Sequence, residues 1–174
     1  NQSQRIVRRS TAAGNAWFVD RVSFVKGNAE EMQAISSFDP HKEAFVNQQY
    51  QNEVKAKTSN ASTSGEIKLT SYHPDKMQYE YTAANDAFAV FSEVFYDKGW
   101  KAYVDGKETP IIRADYILRA LQLPAGTHKV EFIFDPESHK MGNLLTLISS
   151  IVLVLGIGAA IYFSFRGNKK ETAA

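Results

Sequence analysis

Residues 87–106 read AFAVFSEVFYDKGWKAYVDG, and this stretch decides the fold class. Ala87 to Phe95 is apolar on both faces except at Ser92 and Glu93, the pattern of a central strand covered on both sides. Asp97-Lys98-Gly99 breaks the chain, and Lys101 to Val104 reads as the next strand. Asp105-Gly106 follows. This dipeptide is the strongest short hairpin signal, because both central positions of a type I′ turn need positive φ.

Outward from this stretch, alternation dominates. Met77, Tyr79 and Tyr81 share one face against Gln78, Glu80 and Thr82. Val130, Phe132 and Phe134 share one face against Lys129, Glu131 and Asp135. Period two with β-branched and aromatic residues predicts half-buried strands. Further strands are predicted over Ala16 to Val25, Ala44 to Gln49, Glu66 to Tyr72 and Tyr116 to Leu123. His73-Pro74-Asp75 and Pro124-Ala125-Gly126 supply turns between them. Such short, regular spacing predicts an antiparallel β-sandwich, jelly-roll or Ig-like, over residues 14–138. One short helix is predicted from Ala29 to Ser37, capped by Asn28 with Glu30 and Glu31 in its first turn. Residues 1–13 form a polar lead-in, and Thr58 to Gly65 (TSNASTSG) is a polar loop. That loop contains Asn60-Ala61-Ser62, a formal glycosylation sequon.

Beyond the sandwich, Leu144 to Phe165 reads LLTLISSIVLVLGIGAAIYFSF with no charged residue. Roughly 20 apolar residues at 1.5 Å each cross a hydrocarbon core of about 30 Å. A transmembrane helix over 144–165 is therefore predicted, with the lipid bilayer as partner. Thr146, Ser149 and Ser150 can return their hydroxyls to carbonyls one turn earlier. Tyr162 and Phe163 fall toward one interface, where aromatic rings are favoured. Arg166, Lys169 and Lys170 follow the span, so the positive-inside bias puts residues 166–174 in the cytoplasm and the sandwich outside. Gly156 and Ala160, four apart, form a small-residue face for a neighbouring helix, or reflect only the small-residue content common in such spans. A chain that starts at Asn1 and carries its one span near the C-terminus reads as the tail of a longer protein.

The totals exclude several function classes. The 174 residues carry a net charge of +1 and no like-charge block, so no nucleic-acid footprint is present. No cysteine is present, which rules out disulfides and thiolate metal sites. P-loop, dinucleotide and nucleophile-elbow motifs are missing, and no cofactor is expected. The histidines at 41, 73, 128 and 139 lack metal-ligand spacing, and His128 reads as a surface residue. Glu93, Asp97 and Asp105 cluster in sequence and would suit acid–base work on a glycan if they converged. The plainer reading makes Asp97 and Asp105 turn residues. Tyr96, Trp100, Tyr103 and Asp105 are the candidate glycan-binding residues, since flat aromatic faces with polar handles suit a sugar cleft. Sandwich cores use the same aromatics, and core packing is the weightier reading of them.

Taken together, several runs carry a family resemblance. They are Gly14 to Val19 (GNAWFV), Phe38-Asp39-Pro40, Phe91 to Tyr96 (FSEVFY), Gly99 to Lys107 (GWKAYVDGK), Arg113 to Ala120 (RADYILRA) and Leu123 to Phe132 (LPAGTHKVEF). With a following span and basic tail, they resemble the C-terminal part of the bacterial YfhO membrane-protein family, in a Bacteroidetes-type form. The resemblance implies a polytopic parent in the bacterial cytoplasmic membrane, similar to C-type glycosyltransferases that use a lipid-linked sugar. It implies further transmembrane helices of the parent and cell-envelope glycan as partners. Acidic catalytic residues would lie in an early loop outside this sequence, so no catalytic residue is assigned here. Two other readings stand beside it: a purely structural assembly module, and a domain that is itself an enzyme through Glu93, Asp97 or Asp105.

Overall fold

A computed structural model describes residues 12–54 and 64–171. Most of the lead-in over residues 1–13 and the Asn60-Ala61-Ser62 sequon lie outside them. The chain divides into two units, Asn1–Phe134 and Asp135–Ala174.

The first unit is built from β1 (Ala16–Val19), β2 (Arg21–Val25), α1 (Asn28–Ala34), β3 (Glu43–Asn47), β4 (Gly65–His73) and β5 (Lys76–Ala83). It continues with β6 (Ala87–Val94), β7 (Trp100–Val104), β8 (Lys107–Thr109), β9 (Ile112–Ala114), β10 (Leu118–Leu123) and β11 (Gly126–Phe134). Six strands form one sheet in the order β1-β6-β10-β9-β3-β2, and five form another in the order β4-β5-β11-β7-β8. The central-strand reading of residues 87–95 holds, since Ala87 to Phe91 are buried at five successive positions.

The six-stranded sheet is curled. β1 and β2 stand at its opposite edges, yet Asp20 alone separates them in the chain. Laid flat, six strands would hold their edges about 24 Å apart. Two peptide units span at most about 7.6 Å. The edges therefore approach each other at Asp20, and the sheet's inner face encloses a core of its own. Trp17, Val19, Val46, Phe88, Val90, Ile112, Ala114 and Ala120 fill that core, with Val22 packed against it. The second core lies between the sheets, where Ala89, Phe91, Leu121 and Leu123 meet Tyr79, Tyr81, Val130 and Phe132. Tyr79, Phe91 and Phe132 pack edge to face, with ring centroids 4.9–6.1 Å apart.

Three local expectations are corrected. Residues 16–25 are two strands in different parts of the sheet, not one. β2 and β3 pair in parallel, with α1 in the crossover between them, while the other strand pairs are antiparallel. Asn28 is the first helical residue rather than the cap. The cap position belongs to Gly27, because the Asn28 carboxamide accepts a 2.7 Å bond from Arg113 instead. The helix itself gives way to a 3₁₀ turn over Ile35–Ser37.

The second unit holds α2 (Glu137–Glu171). Met141–Tyr162 within it has a mean hydropathy of 2.5, long and apolar enough to cross a membrane. Thr146, Ser149 and Ser150 donate to the carbonyls of Gly142, Leu145 and Thr146 at 2.8–2.9 Å, so these hydroxyls are satisfied within the helix. The helix runs on through the basic segment to Glu171.

Candidate functional site

A cleft of about 700 Å³ opens at the end of the β domain where β7 turns into β8 and β10 into β11. Its apolar lining includes Val104, Ile112 and Leu123, and its polar lining includes Asp86, Asp105, Thr109, Gln122 and His128. The Asp105-Gly106 turn has φ of 49° and 80°, as a type I′ reversal requires. In that turn the Asp105 carboxylate accepts from the Lys129 amide at 2.9 Å and meets His128 Nδ1 at 2.6 Å. His128 Nε2 lies 3.0 Å from the Ala125 carbonyl. Both ring nitrogens thus face acceptors, which calls for an imidazolium. The Ala125 carbonyl and then the Asp105 carboxylate hold the His128 pKa above its usual value. The Lys129 amide, followed by His128, holds the Asp105 carboxyl below the ordinary range. Gly126 makes room for this pair. Its φ is +121°, and a Cβ there would stand 2.8 Å from His128 Nε2.

Two neighbours complete the rim. Asp86 accepts from the Ala125 amide at 2.9 Å, and Gln122 donates to the Ala87 carbonyl at 3.1 Å. The result is a concave surface with an apolar floor and fixed acceptors and donors around it. Such a surface takes a polar ligand with apolar patches.

Of the four candidate glycan-binding residues, Asp105 lines this cleft. Trp100 packs toward the inter-sheet core at the opposite end of β7, with the Arg119 guanidinium 4.0 Å from its ring centroid and Phe134 5.2 Å away. Tyr103 alternates to the other side of β7 from Trp100, Ala102 and Val104. Tyr96 is 52% exposed in the connection after β6. Glu93, Asp97 and Asp105 lie among different neighbours: Glu93 acts on Tyr79 and Arg119, Asp97 on Tyr50, and Asp105 on His128. Sequence reading set His128 aside as a surface residue and did not single out Gln122 or Asp86. Their one signal was proximity to turns, because the cleft is assembled from segments far apart in the chain.

A second polar centre supports the opposite end. Between β9 and β10 the chain reverses at Asp115 and Tyr116, with φ of 48° and 71° and no glycine. Fully buried Glu31 clamps this turn, accepting from the Tyr116 amide at 2.9 Å and from Arg113 at 2.8 Å. Asp115 exchanges two 2.8 Å bonds with the Phe45 backbone. Its other carboxylate oxygen has no partner among the described residues, and burial pushes its pKa up to about 6. Among the described residues, no group of three or more acidic, His or Cys side chains could hold a metal ion. On α2, Gly156 and Ala160 are both exposed.

Comparison with known proteins places the chain. The family model described as bacterial membrane protein YfhO matches residues 39–146. The uncharacterized protein YfhO of Bacillus subtilis (strain 168) is 25% identical over 128 residues, covering 73% of this chain and 14% of that relative. The chain thus spans a small part of the relative's length. No solved structure matches. The chain belongs to the YfhO family of bacterial membrane proteins.

Proposed function

We propose that this chain is the extracytoplasmic accessory domain and last membrane span of a polytopic bacterial membrane protein. By family resemblance, that protein is a glycosyltransferase using a lipid-linked sugar. The cleft at Asp105 and His128 holds the acceptor glycan, while transfer takes place in the rest of the parent protein. The observation that carries this reading is the cleft itself, a 700 Å³ hollow with an apolar floor and oriented polar groups. Sugars offer both faces to such a site: hydroxyls to carboxylate, amide and imidazolium, and C–H patches to apolar side chains. Gly156 and Ala160 present small residues to neighbouring helices of the parent. The basic residues after the span support a cytoplasmic C-terminus.

Amide chemical-shift mapping of the chain in nanodiscs, titrated with cell-envelope oligosaccharides, tests the glycan role. Saturable shifts at Asp105, Thr109 and His128, weakened about tenfold by Gln122→Ala, are expected for a loss near 1.4 kcal/mol. Shifts that never saturate would contradict glycan binding and leave a module that only covers the membrane core. That second reading draws support from Trp100, whose ring packs against Arg119 and Phe134 rather than being presented to a ligand.

A further inference from the structure

Seven large apolar side chains of the β domain are exposed among the described residues: Phe24, Met32, Tyr72, Val94, Tyr96, Ile117 and Phe134. Five of them, Tyr72, Val94, Tyr96, Ile117 and Phe134, are linked to one another at one end. The register fixes this. Val94 pairs with Leu118, and the Ile117 carbonyl accepts from the Phe95 amide at 2.6 Å, next to Tyr96. Arg119 donates to the Val94 carbonyl at 3.0 Å and covers the Trp100 ring, which pairs with Phe134. The Phe134 amide in turn donates to Asp75 in the turn after Tyr72. These side chains form one rim, not scattered surface residues.

Phe134 is also where the β domain ends. Only Asp135 and Pro136 separate it from α2, and the apolar span starts at Met141. Three extended steps and four helical ones cover at most about 16 Å. Phe134 is thus joined to the apolar span by a short covalent segment, whereas the Asp105–His128 cleft lies at the far end of β11. His128 and Phe134 are six strand steps apart, about 20 Å.

We propose that this rim is a lipid-contacting face. Tyr72, Val94, Tyr96, Ile117 and Phe134 enter the headgroup–acyl boundary of the leaflet that α2 meets first. Aromatic rings with polar tips favour that boundary, and aliphatic neighbours add apolar area to the contact. The contact rests on apolar and aromatic side chains, so it requires no anionic lipid. It is independent of the glycan reading.

The native chain has no cysteine, so single substitutions can carry a spin label. The full chain would be reconstituted in phosphatidylcholine bilayers with Tyr96→Cys, Ile117→Cys or, at the cleft end, Lys107→Cys. Circular dichroism would confirm that each variant keeps its β signal. Labels at 96 and 117 are expected to collide several-fold more with oxygen than with a water-soluble nickel chelate, and the label at 107 is expected to show the reverse. An aqueous signature at 96 and 117 would overturn the proposal. So would low collision with both reagents, the mark of a protein-covered surface such as a second copy.

Discussion

Two turns at opposite ends of the β domain meet the same backbone demand with different means. At the cleft end, Asp105-Gly106 takes two successive positive φ values, one on a glycine. At the opposite end, Asp115-Tyr116 does the same with no glycine. Each such non-glycine residue costs about 1–2 kcal/mol. The first turn has its glycine and exposed bonds to His128 and the Lys129 amide. The second is held from outside by Glu31, whose carboxylate reaches across 85 residues of sequence to the Tyr116 amide. The cleft end can therefore be altered piecemeal, whereas the rim end depends on buried carboxylates, Glu31 on the turn and Asp115 on Phe45.

The largest effect that would sharpen this contrast is Glu31→Ala. It strips Arg113 and the Tyr116 amide of a buried acceptor, and a loss of about 3–5 kcal/mol is expected in denaturant unfolding. Asp105→Ala, at an exposed and solvent-screened site, should cost far less. Equal losses would break the comparison.

Next comes Asp115→Asn. The folded carboxyl titrates at about 6, above its unfolded value. The folded state therefore binds more protons between about pH 4 and 6. Stability contributed by Asp115 then falls as pH rises through that window, by about 2–3 kcal/mol in all. Asparagine cannot ionise and tolerates the left-handed region. The variant should lose this slope and gain on the native chain at pH 7, read from unfolding midpoints at pH 4 and 7.

At the cleft end, Gly106→Ala should cost about 1 kcal/mol, since φ of 80° suits glycine. The smallest effect is Asp105→Asn, which removes one of the partners that raise the His128 pKa. That pKa should fall in an NMR titration of the ring protons. The sign agrees with the fold: a raised histidine pKa contributes stability at low pH that is lost as pH climbs through the folded value.

The contrast also explains what could be read in the sequence. The Asp-Gly turn, the strand at 87–94 with its doubly buried first five residues and the apolar run at 141–162 each declare themselves within a short window. The division at Asp20, the parallel β2–β3 pair and the loss of Asn28 as a cap depend on partners distant in sequence. The cleft was legible only at Asp105, as a turn residue. Asp86, Gln122 and His128 acquire their setting once β6, β10 and β11 are aligned.

Sidedness is the premise of the proposed function, and cysteine accessibility tests it most directly. In the full-length parent protein, with any native cysteines replaced, Lys107→Cys at the cleft end would be compared with Ala174→Cys in the tail. On intact cells, a membrane-impermeant maleimide should label position 107, and position 174 only after permeabilisation. Labelling of 174 but not 107 on intact cells would place the β domain in the cytoplasm and contradict the account.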